Sequence, residues 1–196
     1  MKYSDYYRLD NAALHILKDC DLHDLPIDVT RIANMLGIYV LPYSLSSNIL
    51  NKLDLVDESK ISNGLTGFIE YPIILYNDKM NEEDKRVVIG HEIGHVILEH
   101  VYDHESSVNF KWLTTDIMEY SANLFCEQLI APTCVLSKMG VKTESEIINV
   151  CDVNQKAAEF ILDESKKRMR IPKKSAQIER DILKMFEKYI NKHHMI

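Results

Sequence analysis

A chain of 196 residues, 46% hydrophobic and 27% charged, has the size and composition of one sizeable folded domain, or of a domain with a small appendage. With 6 Gly and 5 Pro it excludes fibrous repeats and broad disorder, and a net charge of -7 argues against nonspecific nucleic-acid binding. The charge is uneven: residues 160–196 hold 10 of the 23 Lys and Arg but only 5 of the 30 Asp and Glu, a pattern that reads first as a solvated helix surface.

Apolar residues at Leu9, Ala12, Ala13, Ile16 and Leu17 recur at helical spacing and predict a first helix over 6–20. Residues 26–36 predict a second, with Asp28 placed to cap its start and Gly37 suited to the left-handed position past its end. Ile38 to Tyr43 predicts a short strand, and the polar, irregular stretch 44–60 a long loop. Two β-rich runs, Leu65 to Glu70 and Ile73 to Tyr76, flank Tyr71-Pro72 and predict a hairpin or two neighbouring strands, with Pro72 favouring a sheet edge. Asn81 is a good cap for the next helix. Glu82, Glu83 and Asp84 fill its first turn, where the helix dipole favours acids, and it is expected to reach about Val101. A loop through Ser106 and Ser107 follows. Further helices are predicted over 115–130, 144–150, 154–169 and 175–190. The fold class is α+β: a small sheet, then mostly helices. The expected division is 1–132 and a C-terminal helical region 133–196, or the two packed as one unit.

The N-terminal ten residues lack the apolar core of a signal peptide. No apolar run approaches the ~18–20 residues of a membrane helix. Cys20, Cys126, Cys134 and Cys151 form no C-x-x-C pair and read as reduced thiols. Together these predict a cytoplasmic protein with no membrane partner.

The chemistry lies in His91-Glu92-Ile93-Gly94-His95. Residues four apart lie one turn up on one helix face, so two imidazoles there can grip one ion. Glu92, beside the first ligand, can take a proton from an attacking water. Gly94 costs about 1 kcal/mol mid-helix relative to Ala, which implies a packing or functional reason. A catalytic zinc takes a third protein ligand and keeps a position open. Leu98 and Val101 stand where a metzincin has Gly and His, which excludes that class. Glu99 lies about 12 Å along the axis from His91, so one straight helix cannot supply the third ligand from there. Glu119, on the next long helix, is the better candidate, with Asp116 and His104 as fallbacks. It would complete a His2Glu set, and Asn123, one turn on, could orient a ligand. Tyr102, His104 and Tyr120 are alternative donors to the oxyanion of peptide hydrolysis. The expected cofactor is Zn2+; the same ligands also suit Mn2+ or Fe2+.

Several stretches together resemble the ImmA/IrrE family of metallopeptidases. They are Gly67-Phe68, Ile73-Ile74-Leu75-Tyr76-Asn77, the H-E-x-x-H run, Glu119-x-x-Ala122-Asn123-x-Phe125 and Leu129-Ile130-Ala131-Pro132, preceded by Asp28-x-x-x-Ile32-Ala33-x-x-Leu36-Gly37-Ile38. The similarity spans roughly residues 5–165. Cys126 stands where a small alanine is more usual, and the chain from Arg170 on matches weakly. The resemblance implies a zincin-like metallopeptidase with His91, His95 and Glu119 as metal ligands and Glu92 as catalytic base. It further implies a protein substrate, a transcriptional repressor of a mobile element, prophage or stress response. The alternative is a non-proteolytic metal-binding regulator. Residues 144–169 outline two helices about Cys151-Asp152-Val153-Asn154, and with Lys166-Lys167-Arg168 and Lys173-Lys174 they would contact DNA or a DNA-binding protein.

Overall fold

A computed structural model describes residues 2–52, 54–68, 70–100, 109–110, 115–170 and 177–193. Contacts group the chain into two compact units: Val29–Asn123, and a second joining Met1–Asp28 to Leu124–Ile196. This partition differs from the expected boundary at 132, because the first helix packs with a helix near the end of the chain.

The Val29–Asn123 unit contains a four-stranded sheet made of β1 (Tyr39–Pro42), β2 (Gly64–Phe68), β3 (Pro72–Tyr76) and β4 (Asn109–Phe110). The strand order is β1-β3-β2-β4. β1 runs parallel to β3, and β2 is antiparallel to both β3 and β4. The expected edge position of Ile73 to Tyr76 is therefore corrected: β3 is paired on both sides. Pro72 is tolerated because it is the first residue of the strand, opposite Phe68 and before the pairing with β1 begins at Ile73. Ile74 and Leu75 are wholly buried, as an interior strand requires.

Between Met1 and the sheet come α1 (Tyr3–Asp19) and α2 (Val29–Met35). α2 buries Val29, Ile32 and Ala33 and packs on β1. Gly37 ends it at φ 70, in the predicted left-handed conformation. The loop expected over 44–60 is replaced by a 3-10 turn at Tyr43–Leu45 and by α3 (Ser47–Lys52) and α4 (Glu58–Ile61). Leu50, on α3, and Leu55, between α3 and α4, explain the difference: both drop into a cluster with Leu65, Ile73 and Leu75, with Ile49 and Val56 packed beside them. Two apolar pairs, Ile49-Leu50 and Leu55-Val56, do not make a helical period.

α5 (Glu82–Ile97) lies against β2, β3 and α2 through a buried row that includes Ile89, Ile93 and Val96. The Asn81 side chain accepts the Asp84 N–H at 2.7 Å and caps it. α5 stops four residues short of the predicted Val101: Leu98 is its C-cap and Glu99 turns left-handed at φ 58. α6 (Asp116–Ile130) starts where Thr115 Oγ1 accepts the Met118 N–H at 3.3 Å.

The other unit is helical. It holds α1, α7 (Thr133–Met139), α8 (Glu144–Cys151), α9 (Gln155–Met169), α10 (Gln177–Met185) and α11 (Glu187–His193). α1 packs on α10, α8 on α9, and both α10 and α11 on α7. α7 was not predicted from the pattern. The helix expected over 175–190 is two, broken at the wholly buried Phe186; Ser175, its expected start, lies outside the described residues. Among the described residues no helix is long and apolar enough to cross a membrane. All four cysteines are buried free thiols.

Candidate metal centre

α5 carries His91 and His95 one turn apart on one face. Their Nε2 atoms are 2.9 Å apart, and the rings meet edge to face. α6 brings Glu119 to the same point. Its Oε2 lies 3.2 Å from His91 Nε2 and its Oε1 3.6 Å from His95 Nε2. One ligand atom from each of the three residues falls within 4.8 Å of the others.

These distances fit a metal. An ion with tetrahedral bonds of about 2.0–2.1 Å keeps its ligand atoms about 3.3 Å apart. The three separations, 2.9, 3.2 and 3.6 Å, bracket that value. Two imidazoles and one carboxylate form the donor set of an open site rather than of a closed structural one. The exposures agree: the His95 side chain is 0% exposed, His91 16% and Glu119 36%. The cluster is sealed behind His95 and accessible on the Glu119 side.

Glu92, one residue beyond the first histidine, is buried and turns to the sheet. Thr66 on β2, itself wholly buried, donates its hydroxyl to Glu92 Oε2. Gly64, two residues earlier on β2, makes room for this approach. A Cβ there would stand 2.7 Å from Val88 Cγ1 and 2.9 Å from Glu92 Oε1. Tyr43 also feels this group: burial first, then the Glu92 charge, raise its phenol pKa, so it stays a neutral donor. Its hydroxyl donates to Ser62 O at 3.1 Å.

The end of α5 folds back behind His95. The Glu99 N–H reaches Val96 O and the His100 N–H reaches His95 O, at 3.1 and 3.0 Å. This lays the His100 ring against the His95 ring, with the two Nδ1 atoms 3.1 Å apart.

Asp116 and Asn123 are exposed, and Asp116 is outside the three-residue cluster found among the described residues. Tyr120 is half-buried. Tyr102 and His104 lie outside the described residues. Thr66, Gly64 and His100 escaped sequence reasoning. The first two come from a strand distant in sequence, and His100 lies beyond the motif, past the end of its helix.

A helix bearing H-E-x-x-H beneath a small sheet, met by a glutamate from the following helix, is the architecture of the zincin-like peptidases. The family model for the peptidase M78, IrrE N-terminal-like domain matches residues 33–166, and the chain belongs to that family. Neither the curated proteins nor the solved structures gave a match.

Proposed function

We propose that the protein is a zinc-dependent endopeptidase, with His91, His95 and Glu119 as metal ligands and Glu92 as general base. The observation that carries this reading is the convergence of the three ligand atoms on one partly open point, with Glu92 next to the first ligand. A zinc ion held there supplies Lewis acidity to the scissile carbonyl and to the attacking water. The chain's own groups do the rest. Glu92 accepts the water's proton and later delivers it to the leaving amine. The Thr66 hydroxyl holds one carboxylate oxygen and so fixes the direction in which the other can act. Exposure on the Glu119 side lets an extended peptide reach the centre.

The substrate in this reading is one protein partner, a transcriptional repressor, as the ImmA/IrrE resemblance implies. The glutamate variant Glu92→Gln tests the role of the base. Peptidase activity should fall by about 10²–10⁴-fold, the usual contribution of such a group, while zinc content stays at the native level. Retained activity would remove Glu92 from the mechanism. Efficient digestion of unrelated unfolded proteins would contradict the single-partner substrate.

The regulator alternative has one feature in its favour. α8 and α9 form two packed helices about a tight turn, with Asp152 left-handed at φ 51. The charges oppose it. Arg168 is buried against Asp10 and Glu127, Lys167 pairs with Glu164 at 2.6 Å, and Lys166 faces Asp163 at 3.9 Å. Lys173 and Lys174 lie outside the described residues. Peptide hydrolysis is the better-supported reading.

A further inference from the structure

We propose that His100 is a positioning residue for the metal centre: its ring accepts the Nδ1–H of His95 and so fixes the tautomer and rotation that aim His95 Nε2 at the ion. The inference rests on the reading of His91, His95 and Glu119 as metal ligands.

A ligating imidazole gives one nitrogen's lone pair to the metal, and the other nitrogen then carries a proton that needs an acceptor. That need is acute for His95, whose side chain is wholly buried. The nitrogen facing Glu119 and His91 is Nε2, so the proton sits on Nδ1. The atom 3.1 Å from it is His100 Nδ1. One proton arrangement satisfies the whole series. His100 Nδ1 accepts from His95, which leaves the His100 proton on Nε2, 3.5 Å from Ser121 Oγ. The Ser121 hydroxyl in turn donates to Met118 O at 2.9 Å, so its oxygen is turned to accept. The last histidine-to-serine step is long, and the His95–His100 contact is the firm one. Ser121 lies two residues after Glu119 on α6, so the series links the two helices that bear the ligands.

The backbone is shaped for this contact. Glu99 adopts φ 58, a conformation costing a non-glycine residue about 1–2 kcal/mol. The two backbone hydrogen bonds around it make the helix ending in which the residue after the left-handed one packs on the third from the helix end. That contact is usually apolar. Here it joins two imidazoles with centroids 5.0 Å apart. The more usual acceptors behind a zinc-bound histidine are a carboxylate, a backbone carbonyl or water. A neutral imidazole orients the ligand without adding a negative charge to a site that already holds Glu119.

The test is zinc affinity by chelator competition for the native chain, His100→Ala and His100→Asn, with the ring ¹⁵N spectrum of the zinc-loaded native chain. His100→Ala should bind zinc about 10–100-fold more weakly, the usual cost of losing such a partner. His100→Asn keeps an acceptor oxygen near the place of Nδ1 and should recover most of the loss. The spectrum should show His95 protonated at Nδ1 and His100 at Nε2, and it decides the matter even where a variant fails to fold. Native affinity in His100→Ala, an Asn variant no better than Ala, or a His100 proton on Nδ1 would overturn the assignment. Failure of the native chain to bind zinc would overturn the metal reading itself, and this inference with it.

Discussion

At Gly64, β2 comes close to α5. An added methyl group would meet Val88 and Glu92 at distances that real Cβ atoms do not show. Gly64→Ala should therefore lower stability by about 1–3 kcal/mol, the cost of overpacking, and depress activity further by displacing Glu92. Paired thermal melts and peptidase assays would check both; a native melting point would refute the close approach. At this scale the sequence told half the story. His91, Glu92 and His95 are legible because helical spacing is local, and Glu119 because it stands on the next long helix, where it would complete a His2Glu set. Thr66 and Gly64 are not, because the sheet that brings them to Glu92 is built from pairings across the chain. Glu92 reads in sequence as a base beside a ligand; the threonine that orients it is visible only in three dimensions.

Among the elements, α5 carries the clearest strain. Its end depends on a glutamate in the left-handed region. Glu99→Gly should relieve that cost, less the extra freedom a glycine has when unfolded, for a net gain of about 0.5–1 kcal/mol. The melting midpoint should rise with zinc affinity unchanged; a fall would show that Glu99 stabilises this turn in some other way. The start of α5 was legible, since Asn81 and three acids mark it. Its end was not, because glycine is the usual signal and glutamate carries none. β3 was found in sequence, but its interior position was not. Pro72 pointed to an edge, and the parallel pairing with β1 that encloses β3 leaves no local trace. The helices within 44–60 were invisible because Ile49-Leu50 and Leu55-Val56 set no helical spacing.

Across the whole molecule, Arg168 joins the two ends of the chain. From α9 its Nε donates to both Asp10 oxygens on α1, at 3.0 and 3.1 Å, while its Nη1 pairs with Glu127 on α6. Part of the apparently basic tail is thus an interior staple, which net charge along the sequence could not reveal. Arg168→Ala removes the buried partner of Asp10 and Glu127 and should cost about 1–3 kcal/mol near neutral pH, where Glu127 keeps its proton rather than carry an unpaired charge. Burial pushes the Glu127 carboxyl up from 4.5 to about 8, and Arg168 opposes that rise. A carboxyl raised on folding favours the native state at low pH and loses that contribution as pH climbs through its folded value. Without Arg168 the value rises further; both proteins lose stability alike from pH 5 to about 8, so the variant's deficit should stay level there and widen only above about pH 8 in denaturant titrations. A deficit independent of pH would mean that Arg168 acts through packing alone. The same staple ties α1 to the helices that follow residue 124.

Elemental analysis tests the proposed three-ligand metal site directly. Native protein, His95→Ala and Glu119→Ala would be purified side by side, checked for folding, supplied with zinc and freed of excess. About one zinc per native chain, lost or greatly weakened in both folded variants, is the expected result. A folded native protein that holds no zinc, or variants that keep it, would contradict the three-ligand site.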